Sequence, residues 1–176
     1  MIYLLDANVL IDANRDYYPL KRVTEFWEWL VFKGNEGIVK IPIEMYEEII
    51  EGTDDLALWM KSNEVKSALL LNEEADQPLV SKVIDVGYAN NLTEDDIETI
   101  GNDPFLIAYA LSDKDNRCVV TTEVSKPKSQ RANRHVPDVC DGFRIQWCNT
   151  FALTKILDFS TKWNLIKERA TIYNNN

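Results

Sequence analysis

The stretch YLLDANVLID at residues 3–12 decides the fold. Together with the preceding Ile2 it forms an unbroken apolar run, Ile2–Leu5, which ends at Asp6. A run without polar alternation is typical of a strand that is buried on both faces of a parallel sheet. The stretch therefore predicts a central strand with an acid at its carboxyl end.

Outward from this stretch, short apolar runs alternate with segments of helical spacing. Further strands are predicted at 38–41, 117–121 and 143–147. Helices are predicted at 20–32 with Gly34 as a stop, at 42–52, at 149–159, and from Asn102 or Asp103 through the apolar segment 105–111. The alternation predicts an α/β protein, a three-layer α/β/α sandwich around a central, mostly parallel sheet.

The length of 176 residues fits one ordinary domain. We expect this domain to cover 1–160, with a helical insertion at about 53–100 and a long loop at 122–137. A C-terminal tail, 161–176, ends in three Asn and is expected to fray. No apolar run approaches the roughly 20 residues that cross a bilayer, so no membrane partner is expected.

Charge is spread unevenly along the chain. The net charge is -10, which argues against a protein that grips nucleic acid with its whole surface. Residues 1–43 carry -1, residues 44–103 carry -13 and residues 104–176 carry +4. Any nucleic-acid contact is therefore expected in the last third of the chain.

The cysteines indicate the redox environment. Cys118, Cys140 and Cys148 are odd in number and lack C-x-x-C spacing, so neither a disulfide framework nor a zinc site is predicted. The first residues show no basic region and no cleavage site of a secretory signal. These features predict a reducing compartment and a cytoplasmic location.

Several acids are predicted to meet at one edge of the sheet. Asp6 and Glu123 directly follow predicted strands, while Glu44, Glu48 and Asp103 lie near the starts of helices that leave the same edge. Ligands of open parallel sheets sit beyond the carboxyl ends of the strands. Carboxylates gathered there repel one another unless a cation lies among them. Oxygen ligands without His or Cys favour Mg²⁺ or Mn²⁺.

Each helix acid also has an ordinary structural interpretation. Asp103 before Pro104 could serve only as a helix cap. Glu44 and Glu48 could belong, with Glu47 and Glu51, to a solvated helix face. The lone His135 is interpreted as a structural residue or an RNA contact, because no second His or activated Ser supports a nucleophilic triad.

Four motifs in order resemble those of PIN domains, which are metal-dependent ribonucleases that include the VapC-type toxins of bacterial toxin-antitoxin pairs. They are YLLDANVLID at 3–12, PIEMYEEIIEG at 42–52, NDPFLIAYAL at 102–111 and CVVTTE at 118–123. Each motif is weak alone, and their shared order and spacing over roughly residues 1–148 makes the resemblance fairly specific.

The resemblance implies a Mg²⁺- or Mn²⁺-dependent endoribonuclease, with the catalytic acids Asp6, Glu48, Asp103 and Glu123. These acids would also be the metal ligands, with Glu44 as an outer ligand and with Asn8 and Thr122 in supporting roles. Position 123 more usually holds Asp in this family, so the resemblance does not fix whether the site binds one metal ion or two. The implied partners are an RNA substrate, a cognate antitoxin protein and a second copy in a homodimer.

A basic loop accompanies the last of these acids. Within 122–135, the cations Lys126, Lys128, Arg131 and Arg134 face one acid, Glu123. Such a flank could hold RNA phosphates while the metal site cuts. The alternative interpretation is a solvated connection without a binding role.

Two other classes of protein share some of these features. A haloacid-dehalogenase-type phosphatase also begins with a strand that ends in Asp, but its general acid two residues later would be Asn8 here, which cannot supply a proton. A non-catalytic PIN-like RNA- or protein-binding module would instead act through exposed faces of Trp27, Trp29 and Trp59. Nuclease activity is the preferred interpretation.

Overall fold

The computed structural model describes residues 1–164, and these form an α/β fold around a central sheet. Four strands pair in parallel in the order β2-β1-β3-β4. Their bounds are β1 (Ile2–Leu5), β2 (Val39–Lys40), β3 (Arg117–Val120) and β4 (Gln146–Cys148). The prediction of a three-layer α/β/α sandwich with a parallel sheet is confirmed.

Ten α-helices surround the sheet within residues 1–164. They are α1 (Ala7–Asp12), α2 (Thr24–Asn35), α3 (Ile43–Ile50), α4 (Asp55–Met60), α5 (Asn63–Leu69), α6 (Gln77–Lys82), α7 (Glu94–Ile100), α8 (Asp103–Ser112), α9 (Val136–Phe143) and α10 (Thr150–Ile156). π-helical turns extend α1 through Ala13–Tyr17 and α6 through Val83–Tyr88. No helix of this part of the chain is both long and apolar enough to span a bilayer.

The core runs through the two central strands and the helix predicted to be buried. Leu4 and Leu5 of β1 and Val119 and Val120 of β3 are completely buried. Helix α8 packs against both strands with apolar residues nearly all round. This arrangement follows from the unbroken apolar runs, because neither β1 nor β3 offers a face that tolerates water.

Several predicted boundaries are wrong, among them the start of the helix expected from position 20, which begins at Thr24. The strand expected at 143–147 begins at Gln146, because Phe143 still belongs to α9. Helix α9 was not predicted from the sequence, and it overlaps the end of the expected loop and the start of the expected strand. Gly34 does not stop α2, which continues to Asn35. A Cβ atom at Gly34 would lie 2.7 Å from the Ala68 carbonyl oxygen, so glycine is needed there for the close approach of α5.

The segment 53–100 is helical, as expected, and polar contacts attach it to the sheet layer. Arg117 at the start of β3 makes two hydrogen bonds to the Glu73 carboxylate, at 2.7 and 2.9 Å. The expected capping box of Thr93 and Asp96 opens α7. The predicted tail lies outside the described residues from position 165 onward.

The tryptophans of α2 face inward. Trp27 and Trp29 are each 2% exposed, and Trp59 of α4 packs edge-to-face on Trp27 with ring centres 4.9 Å apart. The hypothesis that a binding module acts through exposed tryptophans is therefore wrong for Trp27 and Trp29. These side chains stabilise the contact between helices instead.

Candidate functional site

Asp6 stands at the point where β1 passes into α1. Its backbone N–H donates to the Val120 carbonyl at 2.9 Å, which continues the pairing with β3. One carboxylate oxygen, Oδ1, accepts a long hydrogen bond of 3.4 Å from the Asn8 backbone N–H. Asp6 thus caps α1 and remains 4% exposed. Asn8 therefore contacts Asp6 through its backbone N–H, and Asn8 itself is exposed.

Thr121 connects two of the acids. Its hydroxyl donates to Asp6 Oδ2 at 2.7 Å and accepts from the Glu123 backbone N–H at 3.2 Å. Sequence reasoning chose the neighbouring Thr122, whereas the contact comes from Thr121. The signal was available in the sequence, because Thr121 follows the apolar run of β3 as Asp6 follows that of β1.

Glu123 is held by the helix that was missed. Its Oε2 accepts from the Val136 backbone N–H at 2.7 Å, in the first turn of α9. His135 Nδ1 lies 3.7 Å from the same oxygen. The free N–H groups at a helix start favour a negative charge, so α9 positions and stabilises this carboxylate.

Glu48 and Asp103 reach the same region from α3 and α8. Glu48 interacts with the side chain of Asn102, the residue that precedes α8, and this interaction lowers the pKa of Glu48 against the effect of burial. Asp103 begins α8 and interacts with the hydroxyl of Tyr88, which is 6% exposed and has no hydrogen-bond partner of standard geometry. We refer to Asp6, Glu48, Asp103 and Glu123 as the acidic cluster.

The acidic cluster is electrostatically coupled. Burial, followed by the charges of the other three carboxylates, raises the pKa of Asp103 from 3.8 to about 8, although Tyr88 lowers it. Burial also raises the pKa of Asp6 to about 6 against the hydrogen bond from Thr121. Burial likewise raises the pKa of Glu48. Near pH 7, Asp6 and Asp103 together therefore retain about one proton.

Glu44 does not join the acidic cluster. It lies one turn before Glu48 on α3, but its carboxylate interacts with Glu47 and the Tyr109 hydroxyl, and burial raises its pKa. One of its oxygens is buried without a hydrogen-bond partner. The structure thus separates Glu44 from the four acids predicted to act together.

The chemistry of the acidic cluster fits a hard cation. Within residues 1–164, no three His, Cys, Asp or Glu side chains are already arranged around one point as metal ligands. All four members nevertheless offer only carboxylate oxygens, the donors preferred by Mg²⁺ and Mn²⁺. Their mutual repulsion is the kind that a bound cation would relieve.

Two of the four cations of the basic loop make contacts within the protein. Arg131 binds the Asp96 carboxylate at 2.8 Å and the Asn91 side chain at 2.7 Å. Arg134 donates to two backbone carbonyls, those of Gly87 and Asp138. Both arginines therefore attach the loop to its surroundings. Of the four predicted RNA contacts, Lys126 and Lys128 keep exposed side chains.

These features define an α/β protein with an electrostatically coupled acidic cluster at the carboxyl edge of a parallel sheet. The chain belongs to the family described as a domain of unknown function, DUF4411, whose profile matches residues 3–161. That match contains every member of the acidic cluster. A comparison with curated proteins finds no match.

Proposed function

We propose that this protein is a Mg²⁺- or Mn²⁺-dependent endoribonuclease of the PIN type. The observation that carries the proposal is the convergence of four carboxylates from four separate elements, with the pKa of Asp103 raised to about 8. Such a strained charge arrangement costs stability and is typical of functional sites. The order of the four sequence motifs supports the same class of activity.

Three members of the acidic cluster are each supported by a separate neighbouring group. Asp6, Glu48, Asp103 and Glu123 would hold the cation, which when bound would activate water and stabilise charge on a phosphodiester oxygen. Thr121 fixes the orientation of Asp6, and α9 fixes that of Glu123. Tyr88 favours the ionised form of Asp103, the form that binds a cation.

RNA phosphates would be held by the free part of the basic loop. Lys126 and Lys128 are exposed and follow Glu123 by three and five residues. Phosphate contacts of this kind position a strand without reading its sequence. A cognate antitoxin and a homodimer stay predictions from the resemblance.

The experiment is a cleavage assay on a broad RNA pool. We expect cleavage with Mg²⁺ or Mn²⁺, loss of cleavage with EDTA, and loss in Asp103→Asn. Asp85→Asn is the matched control, because Asp85 is an exposed carboxylate of the turn that follows α6. If the wild-type protein cleaves no RNA with either metal, the proposal is wrong and a non-catalytic binding module is preferred.

A further inference from the structure

Two free thiols lie side by side in the sheet, outside the acidic cluster. Cys118 belongs to the central strand β3, and Cys148 ends β4, the neighbouring strand at the edge of the sheet. The register pairs Cys118 with Gln146 and Cys148 with Val120, so the two cysteines lie diagonally on one face of the sheet. Their sulfur atoms are 4.0 Å apart.

The two thiols differ in exposure and in acidity. Cys118 is 5% exposed, whereas Cys148 is half-buried and reaches solvent. The Cys118 thiol donates a hydrogen bond to the Cys148 sulfur, which lowers the pKa of Cys148 against the effect of burial. The same hydrogen bond, together with burial, raises the pKa of Cys118. Because the thiolate is the reactive form, Cys148 is the first to react, and Cys118 lies behind it as a second thiol.

We propose that Cys118 and Cys148 form a redox-sensitive pair, which hydrogen peroxide converts reversibly into a disulfide, and that this disulfide weakens the support of Asp6. The Cys148 thiolate attacks a peroxide oxygen, so that an S–O bond forms, the O–O bond breaks and hydroxide leaves. Cys118 then attacks the Cys148 sulfur, so that the S–S bond forms and the S–O bond breaks. The departing hydroxide takes the Cys118 proton and becomes water. Two thiols are oxidised, peroxide is reduced to water, and a dithiol reductant reverses the change by exchange.

Closing this bond requires a movement of β4. The sulfur atoms of a disulfide are about 2 Å apart, so the two sulfurs must approach by about half of their present 4.0 Å separation. Strand β3 is completely enclosed between β1 and β4, and its four residues are all buried. Strand β4 has three residues, pairs with β3 alone within the described part of the chain, and is partly exposed. The edge strand is therefore the one that shifts.

The direction of the shift connects the thiols to the acidic cluster. Cys118 precedes Thr121 on the same chain segment, so Cys148 moves away from Thr121 as it approaches Cys118. This stretches the 3.1 Å hydrogen bond from the Thr121 backbone N–H to the Cys148 carbonyl. The buried Thr121 hydroxyl holds Asp6 and accepts from the Glu123 backbone N–H. Oxidation at the sheet edge therefore loosens the support of Asp6.

The bond is tested by treating the full chain with hydrogen peroxide in the absence of RNA and metal. Trypsin separates the three cysteines, because it cuts after Arg134 and Arg144. We expect a linked peptide pair that contains Cys118 and Cys148 and disappears with dithiothreitol. The matched control is Cys140→Ala, which removes a buried thiol of α9 and should leave the linked pair unchanged. In Cys118→Ala, the sulfenic acid should persist on Cys148, where dimedone labels it.

Amide hydrogen exchange, followed by NMR, tests the connection to the acidic cluster. In oxidised wild type, the Thr121 amide should exchange about 10-fold faster than in the reduced protein, because one hydrogen bond is weakened. The Lys66 amide of α5, which donates to the Ser62 carbonyl, is the reference and should not change.

Two results would overturn the inference. Disulfides only between separate molecules, or oxidation without a linked peptide pair, would contradict the redox-sensitive pair. Unchanged exchange at Thr121 in the linked protein would contradict its connection to Asp6. Weaker Mn²⁺ binding after oxidation is expected as well, and that expectation alone rests on the proposed function. A linked pair with faster Thr121 exchange, in a wild-type protein that cleaves no RNA, would overturn the proposed function and support this inference.

Discussion

Removing the charge of Asp103 should stabilise the metal-free protein at neutral and alkaline pH. The folded protein keeps a proton on this carboxyl up to about pH 8, while the unfolded chain loses it near pH 3.8. Because the folded state then binds more protons, its stability falls as pH rises from about 4 to 8. Asp103→Asn keeps the shape of the side chain and removes this titration.

The size of the effect follows from the width of this window. A rise from 3.8 to about 8 spans about four pH units, and each is worth about 1.4 kcal/mol, which gives roughly 6 kcal/mol at most. Relaxation and water entry reduce such penalties. We expect about half, so that Asp103→Asn exceeds wild type by about 3 kcal/mol at pH 8 and by little at pH 5.

The assay is urea unfolding in EDTA at several pH values between 5 and 8.5. Wild type and the control Asp85→Asn should lose stability together as pH rises, whereas Asp103→Asn should give a flatter curve. Saturating Mn²⁺ should stabilise wild type at pH 8 but not Asp103→Asn. If Asp103→Asn follows the wild-type curve at every pH, the coupling of Asp103 to the other carboxylates is wrong.

Two further variants test other parts of the structure. Tyr88→Phe should weaken Mn²⁺ binding about 10-fold, because the ionised Asp103 loses its contact with the Tyr88 hydroxyl. Mn²⁺ affinity is measured by electron paramagnetic resonance, with Tyr109→Phe as the control. Unchanged affinity in Tyr88→Phe would contradict the role of Tyr88 at Asp103. Gly34→Ala should lower the free energy of unfolding by about 1–3 kcal/mol, because its Cβ would meet the Ala68 carbonyl oxygen at 2.7 Å. Equal stability of Gly34→Ala and wild type would show that α5 moves away at little cost.

The sheet and two of its acids were predictable because they obey a local rule. Ile2–Leu5 and the run ending at Val120 contain no polar residue that could face water, apart from Arg117 at the very start of β3. Such runs identify central parallel strands directly. Asp6 and Glu123 then follow from position alone, since ligands collect beyond the carboxyl ends.

Other features depend on contacts between distant segments, and a local pattern carries no record of them. Helix α9 is eight residues long and contains Pro137 in its first turn, so the local pattern assigns its start to the loop predicted at 122–137. The contact of Tyr88 with Asp103 depends on how the turn after α6 packs. Arg134 looks like a solvent-exposed cation until α9 and Gly87 are placed beside it.

The helix acids show the same limit within one element. Glu44 and Glu48 lie four residues apart on α3 and have the same chemistry, yet only Glu48 joins the acidic cluster. The periodicity places both on one side of the helix, but the partner of each is decided by the packing of α8. Asn102 meets Glu48 and Tyr109 meets Glu44, one at each end of that contact.

The pairing of β1 with β3 has a consequence for how the chain folds. Asp6 and Thr121 touch although 115 residues separate them, so closing this contact requires most of the chain to be present. Contacts of such long sequence separation form slowly, after the local helices. During synthesis, the four carboxylates therefore cannot all meet until position 123 has emerged, and the helix start that holds Glu123 follows only at position 136.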